Sequence, residues 1–380
     1  MDLSVVVPTY GRREALALTL EAYERQTPDD LRFELVVVDD GSSDGTAEWL
    51  ASRRPKRYRL RFDCQENAGP AAARNRALAR AEGEIVLITG DDIEPTPDLL
   101  HRHVEAHRHH ADPKVAVLGL TIWPPGERLT ATMRHIDGPG AQQFSYGNFT
   151  PGAEYDFRHL YTSNISLHRS LLAAEPGPFS TIFPSAAFED AELGHRLAFH
   201  GLRIVYHPEA VGHHHHPYGV RGFYRRQVRC GQMAVVLLGR HPELVRWLGV
   251  RELEWRRLDL LALPAAERRR LRHAIDDPID GFDAWRERAL ALAEHYDPID
   301  PPGVDELLRA VFDLGYQEGL ATALWGAAGR TVITAHAAER LPDAVRAFEE
   351  RATASTPCGL ADARALAAIR PFLASGATSR

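Results

Sequence analysis

Two adjacent carboxylates, Asp91 and Asp92, follow a short apolar run at 85–88 in the stretch I-V-L-I-T-G-D-D-I-E-P. Such a pair repels itself and loses solvation on burial unless a cation joins it. Hard divalent ions such as Mg²⁺ take few protein carboxylates and complete their shell with substrate phosphates. The apolar run reads as a buried strand, and ligands bind at the carboxyl ends of strands in an open α/β sheet. These residues fit a metal–diphosphate site, and equally an acidic turn ahead of a helix starting near Pro97. Other reactive side chains fall at similar places: Pro8-Thr9-Tyr10, Asp39-Asp40, Asn67 with Arg74, Glu189-Asp190, and the run His213 to His216. Taken singly, Asp40 could begin an Asx turn, Arg74 could be a solvated helix residue, and Glu189-Asp190 could be first-turn acids. Their joint recurrence at strand ends favours one shared crevice.

The elements that must position these residues alternate. Strands are expected at 3–7, 33–38, 58–62 and 84–88, with helices at 13–25, from Thr46, and at 70–81, where Pro70 suits a first turn. Alternation at this pitch predicts an α/β fold, a Rossmann-like, mainly parallel sheet with helices on both faces. A strand follows at 115–122, then a Gly- and Pro-rich stretch at 124–155, whose length marks it as functional or mobile. Order returns at 160–167, with helices at 169–174 and 188–200 and a strand at 203–206. Beyond Val220 the chain reads as helices at 221–239, 252–263, 265–275, 283–295, 305–324 and 343–351. The expected division is a catalytic domain at 1–220, with halves at 1–112 and 113–220, and an α-helical carboxy-terminal region at 221–380. Residues 375–380 are expected to fray.

Composition narrows the class of protein. The 380 residues carry a formal net charge of −7, so no basic field attracts nucleic acid. Lysine occurs only at Lys56 and Lys114. Cys64, Cys230 and Cys358 form no metal-ligand spacing and fit reduced thiols. The start M-D-L-S-V-V-V-P lacks a signal-peptide pattern, and no apolar run reaches the roughly 18 residues of a membrane span. The longest such piece is 233–238. A soluble cytoplasmic protein is expected, with peripheral contact at the inner membrane face and oligomeric state left open. There is no Walker A loop and no G-x-G-x-x-G opening a helix, which excludes the common ATPase and dehydrogenase patterns.

The set V-V-V-P-T-Y-G-R, V-V-V-D-D-G-S-S-D-G-T, N-A-G-P-A-A-A-R-N, I-T-G-D-D and F-E-D-A-E-L-G-H-R-L resembles, in order and spacing, the family 2 glycosyltransferases. The resemblance covers about residues 3–216 and implies a GT-A fold, a nucleotide-sugar donor (typically a UDP-sugar), and inverting transfer. It places Pro8, Thr9 and Tyr10 around the base, and Asp40 as its hydrogen-bond acceptor with Asp39 beside it. Asn67 and Arg74 stand near the nucleotide, Asp91 on the ribose side, and Asp92 on a divalent metal, Mn²⁺ or Mg²⁺. Glu189-Asp190 matches an acid pair whose second member is the general base. The helix dipole should keep Asp190 ionised at neutral pH. Thr89 stands where the family often has another acid, so the site is expected to borrow a ligand, His213 first and His215, on the same side of an extended chain, second.

The stretch 161–167 resembles the family's acceptor-side floor, which makes Asn164 a candidate acceptor contact; Trp123 is another and could equally be core, and 124–152 is a candidate lid that orders with donor. His101, His103, His107, His109 and His110 read as a solvated helix face. The Arg-rich stretches at 221–229 and 267–272 read as solvated faces or anionic-lipid contacts. The acceptor could be a glycan, a lipid-linked saccharide or a small molecule, as in bacterial glycan biosynthesis. Two other readings compete: a sugar-nucleotide nucleotidyltransferase, and a non-catalytic nucleotide-sugar-binding or scaffold protein.

Overall fold

The computed structural model describes residues 1–28, 30–251, 264, 282–326 and scattered positions between 329 and 351. The expected helices at 252–263 and 265–275, the Arg-rich stretch 267–272, Cys358 and the terminal 375–380 lie outside the described residues. Backbone proximity divides the chain into one unit of 1–129 with 141–217 and a second of 130–140 with 218–380.

The first unit is organised by β1 (Leu3–Thr9), β2 (Phe33–Asp39), β3 (Arg59–Cys64) and β4 (Ile85–Thr89), which run parallel in the order β3-β2-β1-β4. Their Val- and Ile-rich sequences are apolar at successive positions because both faces are covered. Val6, Val36, Val38, Val86 and Ile88 face a core shared with Ala71, Ala73 and Ala77 of α3 (Pro70–Leu78). Val5, Val7, Leu35, Val37 and Leu87 face the opposite core. That core is closed by Leu16 and Leu20 of α1 (Arg13–Tyr23) and Leu99, Leu100 and Val104 of α4 (Leu99–His110). The helix α2 (Thr46–Ser52) follows β2.

The sheet continues through strands that differ from the expected pattern. A short β5 (Ile93–Pro95) follows the acid pair and lies antiparallel to β9 (Arg203–His214). Next to β4 comes β8 (Asn164–His168), antiparallel, then β6 (Val115–Ile122), which pairs parallel with β9. A two-residue β7 (Glu154–Tyr155) adds to β9. The strand expected at 203–206 therefore runs on to His214. Its register against β6 jumps between Gly119↔His207 and Leu120↔Val211, so Pro208, Glu209 and Ala210 form an inserted bulge. Proline ends the local strand pattern in sequence, and the bulge lets the chain absorb it.

Parts of the stretch expected to be a lid form regular structure. Residues 131–137 form α5 (Ala131–Asp137), which belongs to the second unit. Phe144, Tyr146, Phe149 and Tyr161 form an aromatic cluster on the sheet, with Tyr146 stacked on Tyr206 at 5.7 Å. Beyond it come α6 (Arg169–Leu172) and α7 (Glu189–Phe199), whose Leu193 and Leu197 are buried.

The second unit contains α5, α8 (Val220–Arg240), α9 (Phe282–Tyr296) and α10 (Val304–Trp325) among its described residues. Helices α8 and α10 approach so closely that a Cβ on Gly319 would lie 2.0 Å from the Val228 carbonyl oxygen. Phe223 packs on Phe312 at 4.8 Å. Asp297 receives the Thr132 N–H at 2.6 Å, fastening α5 to the end of α9. Of the Arg-rich face at 221–229, Arg221 pairs with Glu287 and Glu294, while Arg225 and Arg229 are exposed. Among the described residues, no helix is long and apolar enough to cross a membrane.

The bulge in β9 is tightly fitted around Gly119, where a Cβ would lie 2.4 Å from Asn164 Nδ2 and 2.5 Å from the Ala210 oxygen. Gly119→Ala is expected to lower stability by about 1–3 kcal/mol, the range for overpacking a filled core. Urea unfolding reads this directly, and an unchanged midpoint would show that the bulge yields freely.

Candidate active site

The centre of the site is the acid pair that follows β4. Thr9, the last residue of β1, donates Oγ1 to Asp91 Oδ2 at 2.7 Å, and Thr19 of α1 donates to the Asp91 backbone oxygen at 2.9 Å. Arg12, just ahead of α1, reaches both acids: its Nη1 lies 3.2 Å from Asp91 Oδ1 and 2.6 Å from Asp92 Oδ2. The β5–β9 pairing then brings the histidine run alongside, and the His215 backbone N–H donates to the Asp92 oxygen at 2.8 Å.

Strand alternation decides which histidines face the acids. His214 Nε2 and His216 Nδ1 each lie 3.7 Å from Asp92 Oδ2. On the opposite face His213 stands across the ladder from Glu94, and His215 Nε2 lies 2.8 Å from Glu94 Oε2. The expectation that His213 and His215 would serve the metal at Asp92 is thus corrected by one residue. The phase differs because β9 runs on to His214 and pairs with β5, which turns His213 and His215 toward Glu94.

Burial and the neighbouring Asp92 charge push Asp91 up to about 6, against the pull of Arg12 and Thr9. Burial also penalises the Asp92 carboxylate, but hydrogen bonding and charge from His214, with Arg12 and His216, outweigh it and hold Asp92 below the usual carboxylate range. A carboxylate oxygen with imidazole nitrogens nearby is a donor set that suits divalent first-row ions. Asp92 with His214 or His216 therefore fits a divalent cation that draws its remaining ligands from phosphate and water.

Two further groups stand at the carboxyl ends of the same parallel strands. Asp40 Oδ1 accepts from Gln65 Nε2 at 2.7 Å and Ala68 N at 2.9 Å, and its Oδ2 accepts from Gly69 N at 2.9 Å. Asp39 Oδ1 accepts from Ser42 N at 3.0 Å. Asp40 thus shapes the loop that launches α3, and a nucleobase donor would add to bonds already made. Pro8 is half-buried, while Tyr10 and Asn67 are exposed beside these loops.

Arg74, expected near the nucleotide, is engaged in a buried ion pair. Its Nη1 lies 2.7 Å from Glu189 Oε1, both residues are buried, and its guanidinium stands 5.3 Å over the Phe179 ring. Beside this ion pair, burial first and the Glu189 charge second push Asp190 up to about 7, against the Ala191 N–H and Arg74. The expected dipole-held carboxylate is corrected accordingly, since desolvation outweighs the helix dipole here.

Neither expected acceptor contact is free to meet a ligand. Asn164 is buried, donating Nδ2 to the Leu120 and Ala210 oxygens at 3.1 and 2.8 Å, with Oδ1 2.9 Å from His103 Nε2. Trp123 is buried and stacked on His214 at 5.4 Å, nearly parallel at 12°. The histidine face of α4 is corrected as well: His103 and His107 are buried and both bond Ser166 Oγ at 2.8 Å, while His109 is exposed. Thr89, in place of the absent acid, donates to the Ser163 oxygen at 2.8 Å.

A cleft of about 390 Å³ opens beside Asp92, lined by Arg12, Arg13, Asp44 and His216 among others. A neighbouring one of about 570 Å³ is lined by Arg13, Ser42, Ser43 and Trp49 among others. Arg12, His214 and His216 are the residues that motif reading passed over. Arg12 closes the stretch V-V-V-P-T-Y-G-R, where the resemblance assigns it no role.

An open, mostly parallel sheet with an acid pair at a strand end and a second acid pair opening a later helix is the architecture expected from the resemblance. Residues 4–170 match the model for glycosyl transferase family 2. The chain is 29% identical over 357 residues to a validoxylamine A glucosyltransferase of Streptomyces hygroscopicus subsp. limoneus, covering 84% of this chain and 72% of that protein. A second validoxylamine A glucosyltransferase, of subsp. jinggangensis, is 32% identical over 235 residues, 55% of this chain and 54% of that protein. The chain spans only 28% of the poly(ribitol-phosphate) beta-N-acetylglucosaminyltransferase TarS of Staphylococcus aureus, at 35% identity over 176 residues. A solved mannosyltransferase from Pyrobaculum calidifontis, in complex with GDP-Man and Mn²⁺, aligns with TM-score 0.48 and 24% identity, covering 86% of this chain and 87% of that one.

Alanine at His214 or His216 is expected to weaken Mn²⁺ binding at Asp92 severalfold, whereas His213→Ala leaves it unchanged. Calorimetric titration separates the two faces. Loss confined to His213→Ala would put the strand in the opposite phase.

Proposed function

We propose that this chain transfers a glycosyl group from a nucleoside diphosphate sugar to an acceptor hydroxyl, with inversion at the anomeric carbon. The observation that carries this reading is the division of labour among its acids. Asp92 is held ionised beside imidazoles and a guanidinium, while Asp190 is pushed up to about 7 beside the buried Arg74–Glu189 pair. A general base works best when its pKa lies near the operating pH. Asp190 takes the acceptor hydroxyl proton as the acceptor oxygen bonds to the anomeric carbon and the bond to the diphosphate breaks. The buried Arg74–Glu189 ion pair fixes the first turn of α7 and with it the Asp190 backbone. Asp92, with His214 and His216, would hold a divalent ion, Mn²⁺ or Mg²⁺, which supplies charge neutralisation for the departing diphosphate. Asp91 takes the ribose side, and the loops carrying Tyr10, Asp40 and Asn67 take the base.

The validoxylamine relatives are named glucosyltransferases, which supports a hexosyl donor for this chain, with UDP-glucose the first to try. An acceptor that is a glycan, a lipid-linked saccharide or a small molecule fits the reaction equally well. Retention of bound nucleotide with no transfer to any acceptor and no metal-dependent donor hydrolysis would favour the binding-protein alternative.

Asp190→Asn is expected to lower transfer by about 10²–10⁴-fold while nucleotide binding persists. Because the base must be deprotonated, kcat/KM of the native chain should fall about tenfold per pH unit below about 7 and level off above it. That acidic limb should vanish in Asp190→Asn. Full transfer by the variant, or a native profile flat through pH 7, would assign the base elsewhere.

A further inference from the structure

The cation that holds Asp91 and Asp92 together in this structure is a side chain of the protein itself. Arg12 Nη1 lies 2.6 Å from Asp92 Oδ2 and 3.2 Å from Asp91 Oδ1, and Nη2 lies 3.4 Å from His216 Nδ1. One guanidinium therefore engages both acids and one of the imidazoles that would serve a divalent ion. Two cations compete for the same carboxylate oxygen by mutual repulsion as well as by occupancy. The Arg12 side chain is 41% exposed and lines the cleft beside Asp92 together with Arg13. It can turn into that cleft without unpacking either core. A diphosphate is the partner its planar fork matches best.

We propose that Arg12 is an exchangeable counter-cation: it neutralises the acid pair until a divalent ion enters, then passes to the donor diphosphate. The inference rests on the donor reading above and adds the coupling between its two ligands. Metal alone must displace the guanidinium. Metal with diphosphate gives the guanidinium a new partner, so each ligand raises the affinity for the other by the same factor.

The test is a Mn²⁺ titration of the full chain, followed by the electron paramagnetic resonance of the free ion. Native, Arg12→Gln and Arg12→Lys proteins are compared without nucleotide, with UDP and with inorganic pyrophosphate. Removing the competing charge in Arg12→Gln should tighten Mn²⁺ alone by about tenfold and abolish most of a comparable enhancement by UDP. Arg12→Lys, which keeps the charge, should bind Mn²⁺ alone like the native protein. Tightening is the opposite of what a merely structural loss produces. Equal or weaker binding of Mn²⁺ alone by Arg12→Gln would overturn the exchange. Enhancement of the native protein by pyrophosphate but not UDP would support the exchange while counting against the donor assignment. Enhancement by neither would overturn the transfer to diphosphate.

Discussion

Adjacent buried carboxylates are tolerable only when positive charge and hydrogen-bond donors reach them together, and much of the first unit serves that requirement. Thr9 and Thr19 bring donors from β1 and α1, Arg12 brings a fixed charge, and β9 brings imidazoles. The result is unequal acids, with Asp91 raised to about 6 and Asp92 held ionised. An unequal pair can do two jobs, since one member stays charged for a cation while the other is free to gain or lose a proton near neutrality.

Behind the acids lies a polar core that fixes where the histidines point. Asn164 joins the Leu120 and Ala210 oxygens at the bulge, and His103 joins Asn164 to Ser166. Burial lowers His103 to about 4 and His107 to about 3, so neither carries charge at neutral pH. They act as neutral hydrogen-bonding groups between α4 and the sheet, where a buried polar network rigidifies what it satisfies. The phase of β9, and hence the choice of His214 and His216 over their neighbours, depends on that network holding the inserted Pro208–Ala210 segment in place.

The parallel half of the sheet was legible because runs such as V-V-V and I-V-L-I are buried on both faces and leave little room for another reading. The acids at 91–92 and 189–190 were legible because motif spacing survives without coordinates. Histidine phase was not, because it rests on a bulge whose signal, a proline after Tyr206, reads locally as a strand end. Asn164 was assigned by resemblance to a ligand role, Trp123 to ligand or core, and His103 and His107 to solvent, yet tertiary packing buries all four. Arg12 closes the first motif but had no legible role there, because a loop arginine is ordinary until two carboxylates from a distant strand are seen to converge on it.

The excursion of residues 130–140 out of the first unit has a consequence for how the chain can be divided. The second unit is assembled from two separate stretches of sequence, with α5 hydrogen-bonded to Asp297 and His135 Nδ1 2.7 Å from Asp305 Oδ1. No single cut yields both units whole. A fragment ending near Pro217 would carry α5 without its partners, and a fragment starting at Tyr218 would leave Asp297 and Asp305 without theirs. Exchange of carboxy-terminal regions between relatives would therefore have to move α5 along with the helices it serves, as an insert rather than a tail.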